Sequence, residues 1–121
     1  MDGIHLLGEW YDCPRETPLF THAGALRTMC IDAVTGAGLN VVGECFHQFE
    51  PQGVTGTVLL AESHLAIHTW PEHGFVSVDV YVCNVSTDNK AKALHLFRTL
   101  EDALRPGRTK FHALERGGGD G

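Results

Sequence analysis

The sequence lacks the features that would direct it to a membrane, to secretion or to nucleic acid. No apolar run approaches the ~18 to 20 residues that span a bilayer, and the Met1-Asp2-Gly3 start has neither the basic residues nor the apolar core of a secretory signal. The four cysteines form no CxxC pair. Nine basic residues against fifteen acidic ones give a net charge of −6, which argues against nucleic acid and is compatible with a small cationic substrate. We therefore predict a soluble cytoplasmic protein with no membrane or nucleic-acid partner.

The chain is long enough for one domain, residues 1–121, and it contains no internal repeat or interdomain linker. Alternating apolar residues and turn signals predict strands over 4–11, 39–49, 54–60, 61–70, 75–83 and 109–114. Helical periodicity predicts one helix from Thr21 to a stop at 36–38, and a second that Asp88 or Ser86 caps and that ends at 105–107. The glycine-rich end, 117–121, is predicted to be a disordered tail.

The order of these elements predicts an α+β fold in which a mostly antiparallel sheet carries two helices on one face. In the second helix the predicted buried stripe consists of Ala91, Leu94, Phe97, Leu100, Ala103 and Leu104. Two helices cover only one side of such a sheet. We therefore expect the other side to pair with a second copy, which gives an α/β/β/α sandwich homodimer.

The stretch from Ala61 to Gly74 brings hydroxyl, carboxylate and imidazole groups together beside an apolar strand. If Trp70 faces Phe75 across the turn at 71–74, antiparallel pairing places Cys83 opposite Glu62 and beside Ser63. The register alone thus predicts that a thiol lies next to the Glu62-Ser63 peptide bond.

Three kinds of chemistry fit these residue types. A metal site formed by His64, His68 and His73 is disfavoured, because His64 and His68 lie about 13 Å apart along an extended strand. A hydrolase that uses Ser63 or Cys83 with His68 lacks the G-x-S-x-G turn. The third is self-cleavage, in which the Ser63 hydroxyl attacks the preceding carbonyl and the resulting ester eliminates to leave a pyruvoyl group.

The segment from Glu62 to Glu72, ESHLAIHTWPE, resembles the processing-site signature of the short prokaryotic S-adenosylmethionine decarboxylases. The similarity covers most of residues 3–115. It extends to His5-Leu6, Glu9, Cys13, the FHQF of 46–49, the GVTG of 53–56, Asp79 and Cys83.

The resemblance implies that the chain cuts itself between Glu62 and Ser63 into a β chain, 1–62, and an α chain, 63–121, whose pyruvoyl group derives from Ser63. It implies that His68 assists processing, that Cys83 is the proton donor, and that Thr55 stands where a processing hydroxyl is expected. The pyruvoyl ketone then forms a Schiff base with the substrate amine and takes up the electrons left by carbon dioxide. The implied product is decarboxylated S-adenosylmethionine for spermidine synthesis.

The candidate substrate-binding residues are two aromatics that could stack on adenine, Phe46 and Phe49, and two carboxylates, Glu9 and Glu72. Residues 46 and 49 alternate onto opposite faces of a regular strand, so we expect at most one of the two aromatics to line the site.

Three questions stay open at this point. The same cofactor could serve a decarboxylase of arginine or ornithine, and a paralogue that no longer cleaves could regulate an active partner. A regular strand also sends Ser63 and His68 to opposite faces, about 16 Å apart. Either the chain bends sharply near residues 61–64, or His68 acts from a neighbouring protomer.

Overall fold

A computed structural model describes residues 2–84 and 88–117 and shows a six-stranded antiparallel sheet with its helices on one face. The strands are β1 (Asp2–Tyr11), β2 (Val41–Gln48), β3 (Val54–Leu60), β4 (Ser63–Trp70), β5 (Phe75–Asn84) and β6 (Arg108–Gly117). The helices are α1 (Pro18–Thr21), α2 (Ala23–Gly36) and α3 (Lys90–Leu104), and a 3₁₀ turn covers Pro71–His73. The strand order is β2-β3-β4-β5-β1-β6. The predicted fold class, with two main helices on one face, is confirmed.

The core lies between the sheet and helices α2 and α3. Alternate residues of the central strands point into it, as the period of two requires; from β4 and β5 these are Leu65, Ile67, Val76, Val78, Val80 and Val82. The sequence predicts a stripe of Leu26, Met29, Cys30, Ala33 and Val34 for helix α2. The helix buries all of these against the strands except Met29, which is half-buried. Cys30 is therefore a core residue.

The second long helix differs from its prediction in two respects. It buries Ala93, Leu96, Phe97, Leu100 and Leu104, so the predicted stripe is wrong at Ala91, which is exposed, and at Leu94 and Ala103, which are half-buried. The observed set has the same i, i+3, i+4 spacing, but Ala93 and Leu96 take the inward positions that were predicted for Ala91 and Leu94. Its N-cap is Asn89 rather than Asp88, whose carboxylate instead accepts the backbone N–H of Lys90 at 3.0 Å; Ser86 lies outside the described residues.

Strand boundaries agree with the sequence to within a few residues, except at the last strand. β6 ends at Gly117, well beyond the predicted 114, because it pairs with β1 along its whole length, from Tyr11 with Arg108 to Asp2 with Gly117. The predicted tail otherwise lies outside the described residues. The short helix α1 was not predicted; it begins at Pro18, a residue suited to a first helical position.

The turn between β4 and β5 sets the register that the site depends on. Trp70 pairs with Phe75, and the pairing continues without interruption to His64 with Tyr81. Gly74 ends the intervening 3₁₀ turn in the left-handed region at φ 61°, a conformation that favours glycine. The predicted register is thus confirmed.

The face of the sheet opposite the helices, here called the open face, carries the other half of each strand. Exposed apolar side chains lie towards its ends, among them Phe49, Leu59, Trp70 and Leu114, each at least 38% exposed. Polar and aromatic groups lie between them. Within the described part of the chain, no helix has the length and apolar character needed to cross a bilayer.

Candidate active site

The Glu62-Ser63 bond sits at the tight turn between β3 and β4. Leu60 pairs with Ser63, so Ala61 and Glu62 alone make the connection. Glu62 adopts φ 60°, in the left-handed region that glycine or asparagine usually occupies. That conformation stores about 1 to 2 kcal/mol in the residue whose carbonyl precedes Ser63. The chain therefore turns sharply at 61–62, but the turn falls before Ser63 and does not bring Ser63 and His68 together, as the first alternative required.

Cys83 contacts both sides of this bond. Its thiol donates to the Glu62 carbonyl oxygen at an S···O distance of 3.1 Å, and its backbone N–H donates to Ser63 Oγ at 3.2 Å. Cys83 is only 7% exposed, so these hydrogen bonds form largely away from water. The register prediction that placed the thiol beside this bond is confirmed by these distances.

The two contacts suit an attack of the serine hydroxyl on the adjacent carbonyl. A donor on the Glu62 carbonyl oxygen polarises the C=O bond and stabilises the negative charge that develops on that oxygen. A donor on Ser63 Oγ favours the oxygen as it loses its proton. The strain at Glu62 is released when the bond breaks.

Two further cysteines are unsuited to such chemistry. Burial raises the pKa of the Cys13 thiol to about 11 and that of Cys30 to about 12, so both stay protonated near neutral pH. Cys45 is exposed on β2 and pairs with Thr57, in the middle of β3 and not at the turn that carries the junction. Of the four, Cys83 is the thiol that contacts the Glu62-Ser63 bond.

A group of side chains that sequence reasoning did not select surrounds the thiol on the open face. The Tyr81 hydroxyl lies 3.4 Å from Cys83 Sγ, and the Tyr81 ring packs against the rings of His5 and His64 at centroid distances of 5.8 and 5.7 Å. Arg116 Nη1 donates to His5 Nδ1 at 3.1 Å. The available signal was strand parity, because Tyr81 lies two residues from Cys83 and so shares its face.

His5 is held neutral within this group. Burial is the main cause of its lowered pKa; nearby Asp79 opposes the shift, and the positive charge of Arg116 and the ring of His64 add to it. His5 Nε2 is buried and has no hydrogen-bond partner, and Asp79 Oδ1 lies 3.7 Å away, beyond hydrogen-bonding distance. The pair is therefore a close contact between a neutral imidazole and a carboxylate, not a formed ion pair.

His68 belongs to a second group further along the strand. Its Nδ1 shares a hydrogen bond of 3.0 Å with the Thr55 hydroxyl, and its ring stacks on Trp70 at a centroid distance of 5.8 Å. These two contacts orient the imidazole through its Nδ1 and its ring face. A cavity of about 380 Å³ lies over the pair, and Phe49 and Glu72 also line it.

The structure separates the two candidate aromatics as expected. Phe46 packs against the core on the helix side, over Gly56, where an added Cβ would lie 2.2 Å from its ring. Phe49 lies in the His68 cavity with Glu72. Glu9 is exposed on the open face and pairs with Ser77, the residue that also pairs with His68.

The predicted site residues thus form two groups within one chain. Glu62, Ser63 and Cys83 meet at the junction, whereas Thr55 and His68 meet about five residues along β4, roughly 16 Å away. Ser63 points to the helix side with Leu65 and Ile67, and His68 points to the open face. Across residues 2–84 and 88–117, no three His, Cys, Asp or Glu side chains converge to form a metal site.

Comparison with known proteins identifies the family to which these features correspond. The S-adenosylmethionine decarboxylase family profile matches residues 4–117. The S-adenosylmethionine decarboxylase proenzyme of Persephonella marina is 39% identical over 95% of this chain and 82% of its own length. That of Archaeoglobus fulgidus is 38% identical over 95% of this chain and 97% of its own length.

The fold agrees with a solved structure as well. The crystal structure of the adenosylmethionine decarboxylase from Aquifex aeolicus superposes with a TM-score of 0.86 at 36% sequence identity. The match covers 95% of this chain and 90% of that one. Sequence and structure therefore indicate the same family over nearly the whole chain.

Proposed function

The chain belongs to the S-adenosylmethionine decarboxylase family, and from this premise we propose that it cuts itself between Glu62 and Ser63 and decarboxylates S-adenosylmethionine. The family generates a pyruvoyl group from an internal serine. The observation that carries the assignment of the junction is the pair of contacts that Cys83 makes with Glu62 and Ser63. The proposed products are a fragment of residues 1–62 and a fragment that begins at residue 63.

Cleavage at this bond proceeds in three steps: an acyl shift, an elimination and a hydrolysis. Ser63 Oγ attacks the Glu62 carbonyl carbon, the C–N bond breaks, and the nitrogen takes up the hydroxyl proton, which leaves an ester. A base removes the Ser63 α-proton, the Cβ–Oγ bond breaks, and Glu62 departs as a carboxylate. Water then replaces the nitrogen of the dehydroalanine as ammonia leaves, which gives the pyruvoyl group.

The residues at the junction fit this group. Ser63 is the single hydroxyl that contacts Cys83 N–H among the described side chains, and the thiol stays beside residue 63 when the peptide bond is gone. A pyruvoyl group at residue 63 would take up the electron pair that stays on the substrate α-carbon when carbon dioxide leaves. Cys83 then supplies the proton that replaces the carboxyl group, and Tyr81, 3.4 Å from its sulfur, holds the thiol in place.

We further propose that His68 of a second copy supplies the base. The bend at 61–62 precedes Ser63, and β4 pairs regularly from there to Trp70, so no bend brings His68 to Ser63 within one chain. The Glu62 carbonyl lies by the open-face Cys83 thiol, and the rim of that face is apolar at Phe49 and Leu59. Packing of two open faces would make the predicted α/β/β/α homodimer and could place His68 of one copy at the junction of the other.

The substrate site would then combine groups from both copies. The cavity over His68 presents two rings, Phe49 and Trp70, which suit an adenine and a sulfonium centre, and two carboxylates, Glu50 and Glu72. Glu9 adds a third carboxylate, in the same row of the open face as Ser77 and His68. Phe46 faces the core and is left out of this site.

The alternatives are less well supported. The relatives over most of this chain carry the name of the S-adenosylmethionine enzyme, which does not favour arginine or ornithine. A non-cleaving paralogue would have no need for the strained Glu62 or the paired contacts of Cys83. We also propose a cytoplasmic location, because a reducing compartment keeps four free thiols reduced.

The test is a substrate assay on the cleaved protein. Purified protein is offered carboxyl-labelled S-adenosylmethionine, arginine or ornithine, and the carbon dioxide released is measured for each. We expect release from S-adenosylmethionine alone and none from a Ser63→Ala protein. Turnover of arginine or ornithine without S-adenosylmethionine would overturn the substrate assignment while leaving the cleavage intact.

A further inference from the structure

A cavity of about 310 Å³ lies at the Glu62-Ser63 bond, between the end of the sheet and the helices. Cys83 and both residues of the bond line it, together with Gly38 from the turn after α2 and with Asn89 and Lys92 from the start of α3. Lys92 is the cationic side chain in this lining. The decarboxylation mechanism above makes no use of it.

Lys92 is half-buried and reaches along the cavity wall. Its Cε and Nζ lie 3.6 and 3.9 Å from where a Cβ on Gly38 would be, so the glycine leaves room for the lysine stem. Within residues 2–84 and 88–117, no carboxylate lies within ion-pairing distance of the Lys92 ammonium. A half-buried charge without a counter-charge is unfavourable, and the described side chains of the uncleaved protein provide Lys92 with no anion.

Cleavage produces that anion at the same place. When the Glu62-Ser63 bond breaks, the neutral Glu62 carbonyl becomes a carboxylate and the junction gains one negative charge. Leu60, two residues earlier, is 5% exposed and paired with Val41 and Ser63, so the new end can move only about 7 Å from this anchor. The new carboxylate therefore stays at the cavity.

We propose that Lys92 and its cavity form the binding site for the new main-chain carboxylate of Glu62. The site depends on the cleavage proposed above. It would keep the end of the N-terminal fragment in place beside residue 63 after the covalent link is lost, and it would leave the uncleaved chain unaffected.

Chemical labelling tests this directly. Cleaved wild-type protein and uncleaved Ser63→Ala protein are treated briefly with acetic anhydride, and acetylation at each lysine is quantified by fragment-ion mass spectrometry. We expect Lys92 to react several-fold more slowly in the cleaved protein, because contact with the carboxylate shields its amine from the reagent. Lys90, which is exposed and outside this cavity, is the control and should react equally in both.

A variant provides the second measurement. Lys92→Gln should lower the thermal midpoint of the cleaved protein by about 2 to 4 °C, the size expected for one partly exposed ion pair. In the uncleaved Ser63→Ala protein the same substitution should lower the midpoint much less. The control substitution Lys90→Gln should change the midpoint of neither protein. Equal Lys92 reactivity in the two proteins, or an equal Lys92→Gln effect in both, would refute the carboxylate site. Intact mass, measured first, separates the two proposals. A wild-type protein that stays one chain refutes both the cleavage and the carboxylate site. Two fragments with unchanged Lys92 reactivity refute the carboxylate site but support the cleavage.

Discussion

The placement of His68 in a second copy can be tested by mixing two inactive chains. One chain carries Ser63→Ala and keeps His68; the other carries His68→Ala and keeps Ser63. If His68 acts within its own chain, neither chain has a complete site. If His68 acts across the dimer, a mixed dimer has one complete site, made of Ser63 from one chain and His68 from the other.

The structure sets the size of the effect. A base must come within about 3 Å of the proton donor's heavy atom, and roughly 16 Å of regular strand separates Ser63 from His68 in one chain, so the cis contribution should be negligible. Random pairing of equal amounts makes about half of the dimers mixed. Since each mixed dimer contains one complete site, about half of the His68→Ala chains should be cleaved.

The assay is co-expression with different affinity tags, followed by intact mass. A matched control pairs wild-type chains with a Ser63→Ala/His68→Ala double variant, in which wild-type cleavage should fall to about half, because random pairing gives half of those chains a partner without His68. Uncleaved His68→Ala chains in the first mixture, together with undiminished wild-type cleavage in the second, would refute the arrangement across the dimer.

Three other outcomes follow from the geometry. The Cβ of a Gly56→Ala variant would lie 2.2 Å from the Phe46 ring, so this variant should lower the free energy of unfolding, measured by urea denaturation, by about 1 to 3 kcal/mol. Gly24→Ala is the control, because Gly24 has open space around it, and it should not lower that free energy. Equal effects of the two substitutions would contradict the packing of Phe46 over Gly56. Burial lowers the pKa of His5 below its ordinary 6.5 in the folded protein, so the unfolded chain binds more protons than the folded one as the pH falls below 6.5. The wild-type protein should therefore lose stability between about pH 7 and pH 5 relative to a His5→Gln variant. Parallel pH profiles of the two proteins would contradict this. Cys83→Ala keeps the backbone N–H but loses the thiol, so carbon dioxide release per cleaved chain should fall at least about 100-fold, and an unchanged rate would remove Cys83 as the proton donor.

Local pattern was sufficient for most of the fold. The turn at 71–74 and the alternation on both sides of it determined the β4–β5 register, and that register brought Cys83 to the Glu62-Ser63 bond. The stripe of α3 was misplaced at Ala91 and Leu94, because helical periodicity defines several overlapping apolar stripes and only packing against the sheet selects one.

The site was predicted less completely, and the reason is its dependence on contacts between strands. His5 and Tyr81 lie 76 residues apart in the chain and meet only because β1 pairs with β5 in the observed register. Strand parity correctly raised the conflict between Ser63 and His68, but a single sequence contains no information on how two copies pack. The sequence did not identify Lys92 as a site residue, because its cavity forms only when α3 packs beside the β3–β4 turn.

Intact mass of the purified protein, beside a Ser63→Ala variant, tests the central claim most directly. The account predicts two wild-type fragments, one ending at Glu62 and one beginning at residue 63 that is lighter by one ammonia than a fragment beginning with serine. It predicts a single 121-residue chain for the variant. A wild-type chain that stays whole after prolonged incubation, or a variant that still cleaves at this bond, would contradict it.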